Sequence, residues 1–273
     1  MSMSNEACMD TQTSAGSEPA GQRMRLMSYN IQTGTSTNKF RDYFTQSWRH
    51  VLPTTQRMQN LIQIAEMMGD YDLVGLQEVD AGSLRSGFIN QTEYIANQAH
   101  FPYWFHQTNR KLGKIAQHSN GVLCRYKPSQ VSDHKLPGTI PGRGALIVRF
   151  GGDKMSLIVV IMHLSLGKRT RIKQLEYISR AVSEYSNVVI MGDMNCAPDS
   201  PEMCVLMQGT KLLEPEPNLF TFPSWRPKHH LDHILVSPSI TVEDVSVLSH
   251  TYSDHLPIAM SIRLPESVQL ETE

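Results

Sequence analysis

Short apolar runs bounded by polar residues recur along the chain and predict most of its secondary structure. Runs such as LVGL at 73–76 and LIVVIM at 157–162 are typical of buried β-strands. The predicted strands are residues 25–32, 71–80, 120–127, 144–150, 155–164, 188–191, 230–237, 240–248 and 255–263. Helical periodicity predicts helices within 53–70, 91–100 and 168–186, and Ser200-Pro201 is typical of a further helix start. The pattern predicts a mixed α/β domain.

Several of the apolar runs end on polar side chains. In VVIMGDMNCAPDSPEM (188–203), Asp193 and Asn195 follow the strand, and extended chain would point both side chains to the same face. The other polar residues at strand margins are Asn30, Glu78, His163, Asp232, Asp254 and His255. Each has an ordinary explanation by itself, such as a turn asparagine, a rim charge, a hydrogen-bonded core histidine or a capped turn.

As a set, these residues indicate metal-assisted chemistry on a phosphate. Oxygen ligands of this kind suit Mg²⁺ or Mn²⁺ better than zinc, and His and Asn are donors for phosphoryl oxygens. A zinc site at HHLDH, through His229, His230 and His233, is disfavoured because strand alternation would send these side chains to different faces. The sequence lacks the G-x-S-x-G elbow of serine hydrolases and the glycine-rich loops of nucleotide-binding proteins.

Composition and charge give limited information about the substrate and the cellular compartment. The 273 residues carry a net charge of −1, so the overall field gives no case for strong non-specific binding to nucleic acid, although a local basic rim could still bind one. The four cysteines form no C-x-x-C pair and are interpreted as thiols in a reducing compartment. The polar N-terminal stretch lacks a signal peptide's hydrophobic centre, and no apolar run reaches membrane-span length. We therefore expect a cytoplasmic protein, with no obligate protein partner indicated.

The ordered motifs carry a family resemblance. MSYNIQ, LVGLQEVD, IMHLSLG, VVIMGDMNCAPDSPE, HLDHILVS and YSDHLPI resemble the endonuclease/exonuclease/phosphatase (DNase I-like) superfamily, and HLSLGKRTRIKQ with TFPSWRP resembles its small, stand-alone bacterial members. The resemblance covers residues 24–264, between a predicted disordered tail at 1–23 and a C-terminal tail at 265–273. It implies a four-layer α/β sandwich, in which two packed mixed β-sheets are flanked by helices.

The resemblance also implies roles for the polar strand ends in metal-dependent phosphoester hydrolysis. Glu78 resembles the main metal-binding carboxylate, with Asn30 and Asp254 at the same Mg²⁺ or Mn²⁺ site. Asp193 resembles the residue that orients or deprotonates the attacking water, and Asn195 its neighbour on the phosphate. His255 and His163 resemble phosphate-binding histidines, and Asp232 the carboxylate that orients His255.

The substrate is less well determined by the sequence. Asn120 resembles a family position near the site, and Arg143 could reach a phosphate as a forked donor. We expect a phosphodiesterase acting on nucleic acid or a phospholipid-type ester. A phosphatase of a small phosphomonoester such as an inositol phosphate remains an alternative, although it should have a denser Lys/Arg lining than the cluster at 168–173. A catalytically silent binding module is a further alternative.

Overall fold

The structure, a computed structural model, describes residues 21–32, 55–112, 116–138, 142–152, 155–216 and 218–272 of the chain. Within these residues the strands are β1 (Arg23–Asn30), β2 (Leu73–Asp80), β3 (Tyr103–Leu112), β4 (Ala116–Cys124), β5 (Gln130–Lys135), β6 (Gly144–Phe150), β7 (Leu157–His163), β8 (Asn187–Asp193), β9 (Asp232–Val236), β10 (Thr241–Val247) and β11 (Ile258–Arg263). The α-helices of the same residues are α1 (Thr55–Met68), α2 (Gln91–Gln98), α3 (Lys168–Val182) and α4 (Pro201–Thr210). Within this part of the chain, no helix combines the length and apolar character that crossing a membrane requires. Residues 1–20, most of the predicted N-terminal tail, lie outside the described residues.

The strands form two mixed sheets. One has six strands in the order β10-β11-β1-β2-β4-β3, and the other has five in the order β5-β6-β7-β8-β9. β1 pairs with β2 in parallel, and β7 with β8 in parallel, whereas the other neighbouring strands are antiparallel.

Apolar side chains occupy the three spaces between four layers of secondary structure. Successive residues of a strand face opposite ways, so Leu26 joins the cluster between the sheets and Met27 joins the one under α1 and α2. Ile161 belongs to the cluster between the sheets, and Val160 packs with Leu175 of α3 on the other side of the five-stranded sheet. The predicted four-layer α/β sandwich is therefore confirmed.

Two strands were not predicted from the sequence, and both lie at the edge of a sheet. β3 (YWFHQTNRKL) is the outer strand of the six-stranded sheet, and β5 (QVSDHK) is the outer strand of the five-stranded sheet. An edge strand pairs on one side only and tolerates polar side chains that a central strand would exclude. Neither segment therefore shows the apolar run that marks the central strands.

The residues that follow Leu264 pack against the domain. Val268 is buried in the cluster between the two sheets. The backbone N–H of Lys127 donates a hydrogen bond to the carbonyl oxygen of Glu271 over 2.8 Å. The segment that the sequence analysis set apart as a C-terminal tail thus covers part of the core.

The strand directions bring the polar strand ends to one edge of the sandwich. His163 lies beside Asp193 at the carboxyl ends of the parallel strands β7 and β8. β9 runs antiparallel to β8, so its first residue, Asp232, pairs with Asp193. In the other sheet, Asn30 pairs with Gln77 near the ends of β1 and β2. The segment before β11 returns to the same edge because β11 runs antiparallel to β1.

Gly75→Ala is expected to destabilise the protein by about 1–3 kcal/mol, the usual cost of overpacking a core. Gly75 lies in β2, and a Cβ there would stand 3.0 Å from Ile161 and 3.1 Å from Met191 of the facing sheet. Gly152→Ala is the control, because a Cβ at Gly152 meets no described residue within 4 Å. Urea unfolding measures both free energies, and an equally small effect of the two substitutions would contradict the close approach of the sheets at Gly75.

Candidate functional site

Asp193, the last residue of β8, lies at the centre of a buried polar cluster. Its Oδ2 accepts a hydrogen bond from Nδ2 of Asn30 over 3.1 Å. The Nε2 atoms of His163 and His255 lie 3.3 Å and 3.9 Å from the same oxygen. Its Oδ1 accepts a hydrogen bond from the backbone N–H of Asn195 over 3.0 Å. Residues from both sheets therefore meet at one carboxyl group.

His255 is held by a second carboxylate of the cluster. Its Nδ1 lies 2.8 Å from Oδ2 of Asp232, and since a carboxylate only accepts, Nδ1 donates the hydrogen bond. The hydroxyl of Thr221 donates to the same oxygen. Burial alone would lower the pKa of His255, but the charges of Asp232, Asp193 and Asp254 raise it to about 10. His255 is therefore an imidazolium at neutral pH, with its Nε2 side towards Asp193.

Thr221 is a member of this cluster that the sequence analysis missed. It lies in the segment before β9, where a lone threonine among prolines and aromatic residues carries no chemical signature. Its hydrogen bond to Asp232 is visible only in the folded structure.

Two other carboxyl groups of the site have raised pKa values. Burial raises the pKa of Asp193; the charge of His255 lowers it and those of Asp232 and Glu78 raise it, with the result at about 7. Burial likewise raises the pKa of Asp254 to about 6, with Glu78 adding to the increase and His255 opposing it. A carboxyl group whose pKa is near neutrality is suited to exchange protons at physiological pH.

Glu78 reaches this edge because β2 is irregular there. The pairing of β2 with β4 shifts register between Leu76 and Val79, and Glu78 has a φ of 57°, which is strained for a residue with a side chain. Its Oε1 lies 3.9 Å from Nε2 of His163, and its side chain is 28% exposed, compared with 3% for Asp193. The bulge thus places a partly exposed carboxylate at the mouth of an otherwise buried cluster.

The composition of the site fits a divalent cation. Four carboxyl groups (Glu78, Asp193, Asp232 and Asp254) share the site with two cationic groups (Arg143 and His255). Carboxylate and amide oxygens are the ligands that Mg²⁺ and Mn²⁺ prefer, and Asn30 adds an amide. The Oδ1 of Asn30 already accepts a hydrogen bond from the backbone N–H of Gln32 over 3.1 Å, but a carbonyl oxygen has a second lone pair.

Arg143 lies against the His163 ring. Its Nη1 is 2.7 Å from Nδ1 and 2.8 Å from Nε2 of that ring. Burial, the Arg143 charge and the His255 charge all lower the pKa of His163 well below its usual value, so the ring is neutral. Two of the predicted site residues are therefore in direct contact at the carboxyl end of β7.

Asn120 ties the two sheets together close to this point. It lies on β4 between the residues that pair with Leu76 and Val79, opposite the bulge that carries Glu78. Its Nδ2 donates a hydrogen bond over 2.8 Å to the carbonyl oxygen of Gly144, which begins β6 and follows Arg143. Asn120 thus connects the Glu78 side of the site to the Arg143 side.

The expectation of extended chain through Asn195 was wrong. β8 ends at Asp193, and Asn195 has a φ of 53°, in the left-handed region that asparagine tolerates better than most residues. Its Nδ2 donates a hydrogen bond over 3.0 Å to the carbonyl oxygen of Leu164, the residue after β7. This contact and the hydrogen bond from its backbone N–H to Asp193 hold Asn195 near the site. Strand alternation does not determine its position.

The expected separation of the HHLDH histidines was also wrong for two of them. β9 begins at Asp232, so alternation does not constrain His230, and its ring stacks on that of His233 with centroids 4.4 Å apart. His229 is exposed on the surface. The histidine pair, together with Glu214, forms a second cluster of potential metal ligands.

Comparisons with known proteins agree with this fold. A sequence profile of the endonuclease/exonuclease/phosphatase family matches residues 27–255. A family protein from Bacteroides thetaiotaomicron superimposes with a TM-score of 0.69 at 17% identity, over 90% of this chain and 100% of that one. The mannosyl-6-phosphatase of the same species gives 0.64 at 17% identity, over 88% and 99%. The human nocturnin catalytic domain, solved with a sulfate anion, gives 0.66 at 14% identity, over 89% and 95%. A search of curated protein sequences found no match.

Proposed function

This chain belongs to the endonuclease/exonuclease/phosphatase family and is a metal-dependent hydrolase of phosphoester bonds, and we propose that its substrate is a phosphodiester and that Asp193 activates the attacking water. The observation that carries the proposal is the contact of Asp193 with Asn30, His163 and Asn195, beside the Asp232–His255 pair. A buried base, an oriented imidazolium and several donors around one point are the groups that in-line attack of water on a phosphate requires.

Each residue of the cluster then has a physical task. Asp193, whose pKa is about 7, takes the proton of the attacking water, while Asn195 helps to position that water. His255, kept protonated by Asp232, donates to a phosphoryl oxygen and stabilises the negative charge that develops there. Arg143 and His163 contribute a further cation and a further donor beside the phosphate.

Glu78, Asn30 and Asp254 are the residues that would hold Mg²⁺ or Mn²⁺. Such an ion supplies charge neutralisation and polarisation of a phosphoryl oxygen. Glu78 suits this role because its carboxylate is partly exposed, whereas Asp193 and Asp232 are enclosed.

The charge balance of the site favours a diester over a monoester. With a divalent cation present, the four carboxylates and the two cationic groups of the site would be close to neutral, which suits a singly charged phosphate better than a doubly charged one. The basic cluster at 168–173 adds less charge than its sequence suggests, because Arg171 is bound to Glu202 over 2.6 Å and donates to the carbonyl oxygen of Leu166. A nucleic acid and a phospholipid headgroup both contain the required phosphodiester.

The proposal is tested by hydrolysis of an aryl phosphodiester and of the matching aryl phosphomonoester, with Mg²⁺ or Mn²⁺ and with EDTA. We expect hydrolysis of the diester to exceed that of the monoester, and EDTA to reduce it at least about tenfold, because the charge that develops in the site is then uncompensated. Faster hydrolysis of the monoester would contradict this proposal and indicate a phosphatase. The mannosyl-6-phosphatase, which has the same fold, is named for such an activity.

The natural substrate class follows from a second panel. Plasmid DNA, RNA, lysophospholipids, sphingomyelin and inositol phosphates are incubated with the metal-loaded protein under the same conditions. Hydrolysis confined to the nucleic acids or to the lipids decides between the two diester classes. Inactivity towards the whole panel and both aryl esters would favour a binding role for the site.

A further inference from the structure

A second buried cluster lies behind β9, outside the catalytic cluster. Glu214 Oε1 is 2.6 Å from Nδ1 of His233 and 3.1 Å from Nε2 of His230. The side chains of the two histidines are 0% and 2% exposed, and that of Glu214 is 8% exposed. The three residues come from different places: Glu214 follows α4, His230 precedes β9, and His233 is the second residue of β9.

The hydrogen bonds of this cluster leave buried groups unsatisfied. His233 Nε2 lies 2.9 Å from the carbonyl oxygen of Cys196, and its Nδ1 lies 2.6 Å from Glu214 Oε1. Both oxygens only accept, so both ring nitrogens donate, and an ion bound at Nδ1 would replace the proton there. The Nε2 of His230 approaches Glu214 Oε1 to 3.1 Å, but neither ring nitrogen of His230 is satisfied by a hydrogen bond with a described residue. Glu214 Oε2 also has no partner among the described residues. A buried polar group without a partner is destabilising, so the cluster is incomplete by itself.

The charges of the cluster indicate what would complete it. Protonating both stacked imidazoles would place two cations face to face beside one carboxylate. A divalent cation would instead bind the carboxylate and two neutral imidazoles, and would satisfy the free nitrogen of His230. Two histidines and one glutamate are an established ligand set for zinc, and imidazole ligands favour zinc over Mg²⁺. A ligating histidine usually donates its other N–H to a backbone carbonyl or a carboxylate, as His233 does to Cys196.

We propose that Glu214, His230 and His233 bind one zinc ion at a site separate from the catalytic divalent-cation site. The site has a structural consequence for the catalytic cluster. Cys196 directly follows Asn195, and His233 directly follows Asp232. The ion would link the segment after α4, through Glu214, to the segment that carries Asp232. It would also fix His233, whose hydrogen bond to the carbonyl oxygen of Cys196 holds the loop after β8.

The test measures metal binding without any substrate, so its outcome is independent of the proposed phosphodiesterase activity. The full-length protein is stripped of metal, supplied with excess Mg²⁺ and titrated with Zn²⁺ against a chromophoric chelator. Co²⁺ then serves as a spectroscopic probe of coordination. We expect one equivalent of tightly bound Zn²⁺, a tetrahedral Co²⁺ absorption band and a higher melting temperature with Zn²⁺.

Four variants locate the ion. His230→Gln and Glu214→Gln should each weaken Zn²⁺ binding at least about tenfold, since even an outer-shell change at a metal site costs about 10–100-fold in affinity. His229→Gln is the matched control, an exposed histidine next in sequence, and should bind as the wild type does. Glu78→Ala should also retain the zinc, because it alters only the catalytic cluster.

Several results would overturn the proposal. If the wild-type protein takes up no Zn²⁺ in the presence of Mg²⁺, the proposal is wrong, and no variant is needed to show it. Zinc uptake that is lost in Glu78→Ala but kept in folded His230→Gln would place the ion in the catalytic cluster. If His230→Gln proves unfolded by circular dichroism, Glu214→Gln and the wild-type Co²⁺ spectrum decide the question.

Discussion

Asp193→Asn is expected to lower kcat by at least about 100-fold while leaving the fold intact, the usual scale of losing a general base. The carboxamide has nearly the same shape and can still accept a hydrogen bond from the backbone N–H of Asn195 through its oxygen. The carboxamide cannot take up a proton at neutral pH, whereas the carboxyl group of Asp193, with a pKa of about 7, can. Steady-state hydrolysis of the aryl phosphodiester with saturating Mg²⁺ measures the change.

Asp199→Asn provides the matched control for this substitution. Asp199 is exposed on the loop after β8, so the same chemical change there should leave kcat unaltered. Circular dichroism and thermal unfolding establish that Asp193→Asn is folded. A folded, metal-loaded Asp193→Asn protein with near-wild-type kcat would eliminate Asp193 as the base and direct attention to another group of the cluster.

Glu78→Ala is expected to reduce kcat/KM at least about 100-fold at a fixed, moderate Mg²⁺ concentration, comparable with losing a key electrostatic group. The reason differs from that for Asp193. Glu78 contributes a partly exposed carboxylate to the site and raises the pKa of Asp254 through its charge. Its removal should weaken cation binding, so part of the lost activity should return when the Mg²⁺ concentration is raised.

The Mg²⁺ dependence therefore separates a ligand from a residue that only shapes the fold. Glu176→Ala, on the exposed face of α3, is the control and should follow the wild-type Mg²⁺ curve. If Glu78→Ala loses activity but shows the same half-saturating Mg²⁺ concentration as the wild type, Glu78 has a task other than holding the ion. Unchanged activity would remove it from the site altogether.

The central strands and the outline of the site were predictable because burial leaves a clear mark on a sequence. A strand with both faces covered must be a continuous apolar run, as VVIM at 188–191 is, and a polar residue directly after it requires a partner or a function. Parallel neighbours then place the ends of β7 and β8 together, which brings His163 beside Asp193. The edge strands β3 and β5 lack such a continuous apolar run.

Other features depend on contacts between segments that lie far apart in the chain. Asn30 donates to Asp193 across 163 positions, and nothing in the local sequence of either residue fixes that distance. Thr221 reaches Asp232 only because the segment before β9 folds back on itself, with Phe222 bridged to His229. The positive φ of Glu78 follows from the pairing of β2 with β4 around a bulge, which a strand pattern does not reveal.

The pattern of the sequence alone determined that this protein is a mixed α/β domain with acids, amides and imidazoles at the ends of its apolar strands, since solvation dictates which residues a core accepts. The tertiary structure decided where those groups lie and which of them meet. It set the pKa of Asp193 near neutrality through burial and neighbouring charges, turned Asn195 out of the strand, and brought Glu214 to His230 and His233. Each of these outcomes depends on the distance and solvent exclusion between side chains from separate segments, and both quantities exist only after the chain has folded.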